Sequence, residues 1–115
     1  MSKQQLSLLA GTVPVPVTIS DQGQGRPFLL LHGGAGAGSM SGLAQALSKS
    51  GRAIVPTHPG FDGEPRPQGF ASINDLALAY LALIERLDLT DVVLVGSSAG
   101  GWIAAEMALR HSPRR

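Results

Sequence analysis

The chain has 115 residues, 43% of them hydrophobic and 15% charged, and a formal net charge of +1. That balance describes a globular chain and excludes the strong basic field on which nucleic-acid binding relies. Cysteine is absent, which excludes disulfides and thiolate metal sites, and the run Leu6 to Ala10, interrupted by Ser7, is too short for a signal peptide or a membrane span; a cytoplasmic protein without nucleic-acid or membrane partners is expected.

In chain order, the first two elements read as strands, Gln4 to Leu9 and Val13 to Ile19. Pro14 and Pro16 in the second cannot donate ladder hydrogen bonds, so that strand belongs at or near a sheet edge. Asp21-Gln22-Gly23-Gln24-Gly25 reads as a turn, and Pro27 to Leu31 as a buried strand ending on His32-Gly33-Gly34. Ser39 to Ser50 has helical spacing at Met40, Leu43, Ala44 and Leu47, with Gly51 as its stop. A short strand, Ala53 to Val55, leads into a loop rich in Pro and Gly from Pro56 to Gly69. Ser72 is placed to cap the next helix, in which Ile73, Leu76, Ala77, Tyr80, Ile84 and Leu87 repeat at helical spacing. Val92 to Val95 is a strand apolar on both faces, and Ala99 to His111 a helix that is almost wholly apolar before its basic end. Strands that alternate with helices in this way predict an α/β fold, a mostly parallel sheet with flanking helices.

The junction between the last strand and the last helix carries chemistry. Gly96-Ser97-Ser98-Ala99-Gly100 fits G-x-S-x-G in the strand-to-helix context the motif requires. The frame selects Ser98, because centring the motif on Ser97 puts Val95 where the first glycine belongs. A serine at the tip of such a turn is held in a strained conformation while the helix crosses close to the strand it leaves. Gly96 and Gly100 stand at the two positions where a side chain has no room.

Two other readings of the glycines fail on single residues. Gly33 to Gly38 has the spacing of a phosphate-binding loop, but the lysine that should come next is Ser39. Gly34-Ala35-Gly36 opens a dinucleotide fingerprint whose third glycine also falls on Ser39. No nucleotide, metal or other cofactor is called for. Asp75, Asp88 and Asp91 read as cap and turn residues, and Trp102 as a packing residue beside the turn.

Three stretches, "FLLLHGG", "IVPTHPGFDG" and "VVLVGSSAGGWIAAEMALRHSP", occur in the order of the α/β-hydrolase family, which the sequence resembles over almost its whole length. The resemblance implies an ester or related acyl substrate, attacked by Ser98 to form an acyl-enzyme. It also implies an oxyanion hole made by the backbone N–H groups of Ala99 and Gly34. Serine at the nucleophile position argues against the dehalogenase and epoxide hydrolase branches, which use aspartate there.

The sequence departs from the family beyond the helix after the serine. Family members place an acid and then a histidine later in the chain, whereas the sequence reaches Arg115 just past that helix. The expectation is an N-terminal part of a single α/β-hydrolase domain, residues 1–115, truncated after the helix next to the nucleophile elbow. Such a piece should be inactive alone and prone to self-association; the alternative is a non-catalytic truncated hydrolase acting as a binding or interaction module. Thr57 stands where the family often has Asp, and Asp62 interrupts its Gly-Phe-Gly. His32 is expected to brace the oxyanion loop, and His58 to line the pocket or brace a loop. His111 complements the end of a helix dipole.

Overall fold

Apolar residues in this chain alternate along the strands so that both faces of one sheet need cover. The computed structural model of the chain describes residues 2–10, 13–59 and 73–110. Five strands, β1 (Ser2–Ala10), β2 (Val13–Gly23), β3 (Pro27–Leu31), β4 (Arg52–Thr57) and β5 (Val93–Gly96), form a sheet in the order β1-β2-β4-β3-β5. The three strands that alternate with helices are parallel, β4 to β3 and β3 to β5, while β1 with β2 and β2 with β4 are antiparallel. The sheet is therefore mixed.

Helix α1 (Ser41–Leu47), preceded by a 3₁₀ turn over Ala37–Met40, covers one face. Helices α2 (Ile73–Arg86) and α3 (Ala99–Leu109) cover the other. Alternation along β3 and β4 sorts the side chains: Leu29, Leu31 and Ile54 join the α2/α3 core, whereas Leu30, Ala53 and Val55 join the α1 core. Full burial of one such side chain stabilises the fold by about 1.5–3 kcal/mol. The same alternation sends Leu94 of β5 to the first core and Val95 to the second. Both are only half-buried, because β5 lies at the margin of the sheet and no described strand pairs with it on the side away from β3.

Several boundaries differ from the sequence-based reading. The stretch expected to turn at Asp21 continues as strand to Gly23, because β4 supplies a second partner over Thr18 to Gly23. Asp21 there accepts two hydrogen bonds from Arg52, at 2.9 and 2.6 Å, a bidentate pair that links β2 to β4. Pro14 and Pro16 lie opposite β1 and outside the β2–β4 ladder, so their missing N–H groups cost that ladder nothing. Pro56 and Thr57 belong to β4, not to the loop; most of that loop, like Ser72 and His111, lies outside the described residues.

Helix α2 closes on a Schellman arrangement. Asp88 N–H donates to Glu85 O at 3.1 Å and Leu89 N–H to Ile84 O at 3.0 Å, with Asp88 at φ 53°. That conformation explains an aspartate at a position usually held by glycine or asparagine. On α3 the buried side is Gly100, Ile103 and Met107, with Ala104 half-buried and Ala108 exposed. Trp102, expected to pack, is 73% exposed.

Candidate active site

Parallel pairing of β3 with β5, in the register Leu31↔Gly96, brings the loops that leave these two strands to one end of the sheet. The Ser97 N–H donates to the Leu31 carbonyl at 3.1 Å and ties the two exits together. Ser98 comes next at φ 55°, ψ −117°, a left-handed conformation that a non-glycine residue holds only where the surrounding structure imposes it. Its side chain makes no cap hydrogen bond to α3 and is exposed. The turn's own hydrogen bonds use the N–H groups of Gly100, to Ser97 O at 2.9 Å, and Gly101, to Ser98 O at 2.9 Å; that of Ala99 is not among them.

The glycines around Ser98 are explained by backbone crossing. A Cβ on Gly96 would lie 2.5 Å from the Gly100 carbonyl carbon and 2.6 Å from Gly101 Cα. A Cβ on Gly100 would overlap the Leu31 carbonyl oxygen and approach His32 O at 2.9 Å. Gly33 is also constrained, its Cβ position lying 2.8 Å from Ser97 O. Sequence reading missed Gly33; the signal available was two adjacent glycines after a histidine, of which only Gly34 was singled out. Gly34 itself is exposed, with open space around it.

Both described histidines are buried in one network. His32 Nδ1–H donates to Gly33 O at 2.7 Å, and its Nε2 accepts the His58 backbone N–H at 2.9 Å. His58 Nε2–H donates to the His32 carbonyl at 2.6 Å, which leaves Nδ1 to accept from the Tyr80 hydroxyl at 2.5 Å. These partners specify one tautomer for each ring. The rings stack at a centroid distance of 3.7 Å. Burial, then the neighbouring His32 ring, lower the His58 pKa to about 4, so the ring is neutral near neutral pH; burial also pushes the Tyr80 hydroxyl up. His58 thus links the residue after β4 to the loop after β3. Every ring nitrogen of the two histidines is engaged with a partner other than Ser98.

Among the described residues, no group of three or more His, Cys, Asp or Glu side chains could hold a metal ion, and no helix is long and apolar enough to cross a membrane. A cleft of about 110 Å³ lies between β2, β4 and α1, bordered by Ile19, Ser20, Ala44, Val55 and Thr57, and none of the residues around Ser98 lines it.

Residues 28–114 match the alpha/beta hydrolase family, and the chain belongs to it. It is 30% identical, over 105 residues, to the 2-hydroxymuconate semialdehyde hydrolase of Pseudomonas sp. strain CF600, a match that covers 87% of this chain and 37% of that protein. It is 38% identical, over 91 residues, to the pimeloyl-[acyl-carrier protein] methyl ester esterase of Vibrio cholerae, covering 78% of this chain and 34% of that one. Among solved structures, the thermophilic esterase of Thermogutta terrifontis superposes with a TM-score of 0.86 at 27% identity, covering 99% of this chain and 43% of that chain. The chain thus spans well under half the length of these relatives.

Proposed function

We propose that residues 1–115 are the N-terminal part of a single α/β-hydrolase domain whose full-length protein hydrolyses a small-molecule ester or related acyl substrate through Ser98. The observation that carries this reading is the backbone of Ser98, held at φ 55° on the strand-to-helix turn with its hydroxyl free of the cap. Strain of this kind, roughly 1–3 kcal/mol, persists where the surroundings over-determine it, and it clusters at functional sites.

In the proposed reaction Ser98 Oγ attacks the acyl carbon as its proton passes to a base. The Ala99 and Gly34 N–H groups receive the developing oxyanion. The bond to the leaving alcohol then breaks as the alcohol takes that proton, and water hydrolyses the acyl-enzyme to the free acid. His32 and His58 are committed to their own partners, and the family's chain order of serine, acid, histidine assigns the base to a later histidine, beyond residue 115.

A fluorophosphonate probe applied to the full-length protein should label Ser98. Ser98→Ala should abolish labelling and turnover, and Ser97→Ala should leave substantial activity. Labelling mapped to Ser97, or labelling that persists in Ser98→Ala, would sink the assignment.

A further inference from the structure

We infer that Tyr80 and His58 are positioning residues for the oxyanion donor Gly34, acting through hydrogen bonds that hold both the backbone carbonyl and the ring of His32. The inference rests on the proposed role of the Gly34 N–H.

Two branches meet at His32. The Tyr80 hydroxyl donates to His58 Nδ1, and His58 Nε2–H donates to the His32 carbonyl. The His58 backbone N–H donates to His32 Nε2, which leaves the His32 proton on Nδ1 and directed at the Gly33 carbonyl. That carbonyl accepts a second bond, from the Gly36 N–H at 3.1 Å. Gly33 C=O and Gly34 N–H belong to one planar, trans peptide unit. Two donors that fix the oxygen therefore fix the direction of the Gly34 N–H on the opposite side of the unit. Gly34 is exposed, and a Cβ added there would meet open space.

Tyr80 supplies the proton that sets the His58 tautomer, and with it the bond from the His58 ring to the His32 carbonyl. With the hydroxyl present, His58 Nδ1 is an acceptor and Nε2 carries the hydrogen. Without it, a buried Nδ1 has lost this donor, and the opposite tautomer, which cannot donate to the His32 carbonyl, becomes competitive. Tyr80 and His58 are both almost completely buried, so water does not readily replace the missing hydroxyl.

The test uses ¹⁵N-labelled natural full-length protein and its imidazole spectra, with kinetics on p-nitrophenyl acetate and the rate of Ser98 labelling alongside. In the wild type, His32 should carry its proton on Nδ1 and His58 on Nε2. Tyr80→Phe, which keeps the ring and removes only the hydroxyl, should populate both His58 tautomers and lower kcat and the labelling rate about tenfold, with KM changed less than about twofold, because a displaced donor weakens the transition state and not substrate binding. His58→Gln, whose amide N–H still donates towards the His32 carbonyl, should keep more activity than His58→Leu. Wild-type tautomers and rates in Tyr80→Phe, or equal rates in His58→Gln and His58→Leu, would overturn the inference. Should wild-type protein fail to label at Ser98, the serine hydrolase reading falls, and the spectra still decide the relay: a His58 proton on Nδ1 would overturn it.

Discussion

Gly33 passes so close to Ser98 that a Cβ added to it would stand 2.9 Å from the Ser98 Cβ. The loop after β3 and the turn after β5 are thus in backbone contact, and the glycine is required by its neighbour and not by its own φ. Gly33→Ala should cost about 1–3 kcal/mol of stability, the usual range for overpacking, while Gly34→Ala should stay within about 0.5 kcal/mol because its Cβ would meet open space. Urea unfolding of the two variants measures the difference, and equal midpoints would contradict the crossing.

The first turn of α3 offers a matched pair. A Cβ on Gly100 would overlap the Leu31 carbonyl oxygen, whereas one on Gly101 would find its nearest neighbour, Gly96 O, at 3.7 Å. Gly100→Ala is expected to destabilise by about 2–3 kcal/mol or to prevent folding. Gly101→Ala should be neutral or stabilising by up to about 1 kcal/mol, since alanine favours helix over glycine. Thermal denaturation of both separates close approach from helix propensity.

The conformation of Ser98 predicts a trade of stability against activity. Glycine adopts φ 55°, ψ −117° without the Cβ penalty. Ser98→Gly should therefore relieve strain of roughly 1–3 kcal/mol and lose about 1 kcal/mol to unfolded-chain entropy, for a net gain near 1 kcal/mol, while probe labelling disappears. A variant less stable than the wild type would show that Ser98 is not strained.

His58 should make the fold sensitive to acid. A native pKa lowered from 6.5 to about 4 means that the neutral ring is the one the fold accepts. The associated stability is fully present above pH 6.5 and is withdrawn as pH falls towards 4, in total up to about 3 kcal/mol. Comparing urea midpoints at pH 7 and pH 4, His58→Gln should lose less stability than the wild type, because carboxylate titration is common to both. Identical losses would assign the acid sensitivity elsewhere.

Residues 1–115 produced alone are expected to self-associate. Among the described residues β5 has no partner beyond β3, and α3 beside it leaves Trp102 73% and Leu109 82% exposed. An open strand edge next to exposed apolar side chains is a template for another chain. Sedimentation should show concentration-dependent oligomers that Trp102→Glu with Leu109→Glu reduces, and a wild-type monomer throughout would rule this face out.

Local chemistry in the sequence was enough to define β3 at Pro27–Leu31 and α2 from Ile73 onward, and to put Ser98 at a strand-to-helix turn between two glycines, because apolar periodicity and the G-x-S-x-G spacing are properties of contiguous residues. Tertiary structure alone decided what depended on a distant partner. Asp21 extends a strand because β4 lies alongside and Arg52 reaches it, 31 positions away. Gly33 is pinned by a turn some 65 residues later in the chain. His58 and Tyr80, 22 positions apart, are ordinary loop and helix residues in sequence, and become one hydrogen-bonded unit only when the fold brings the residue after β4 to the side of α2. Periodicity records which face of an element is buried; the identity of the neighbour on that face is set by how the elements pack, and that packing places these side chains on each other.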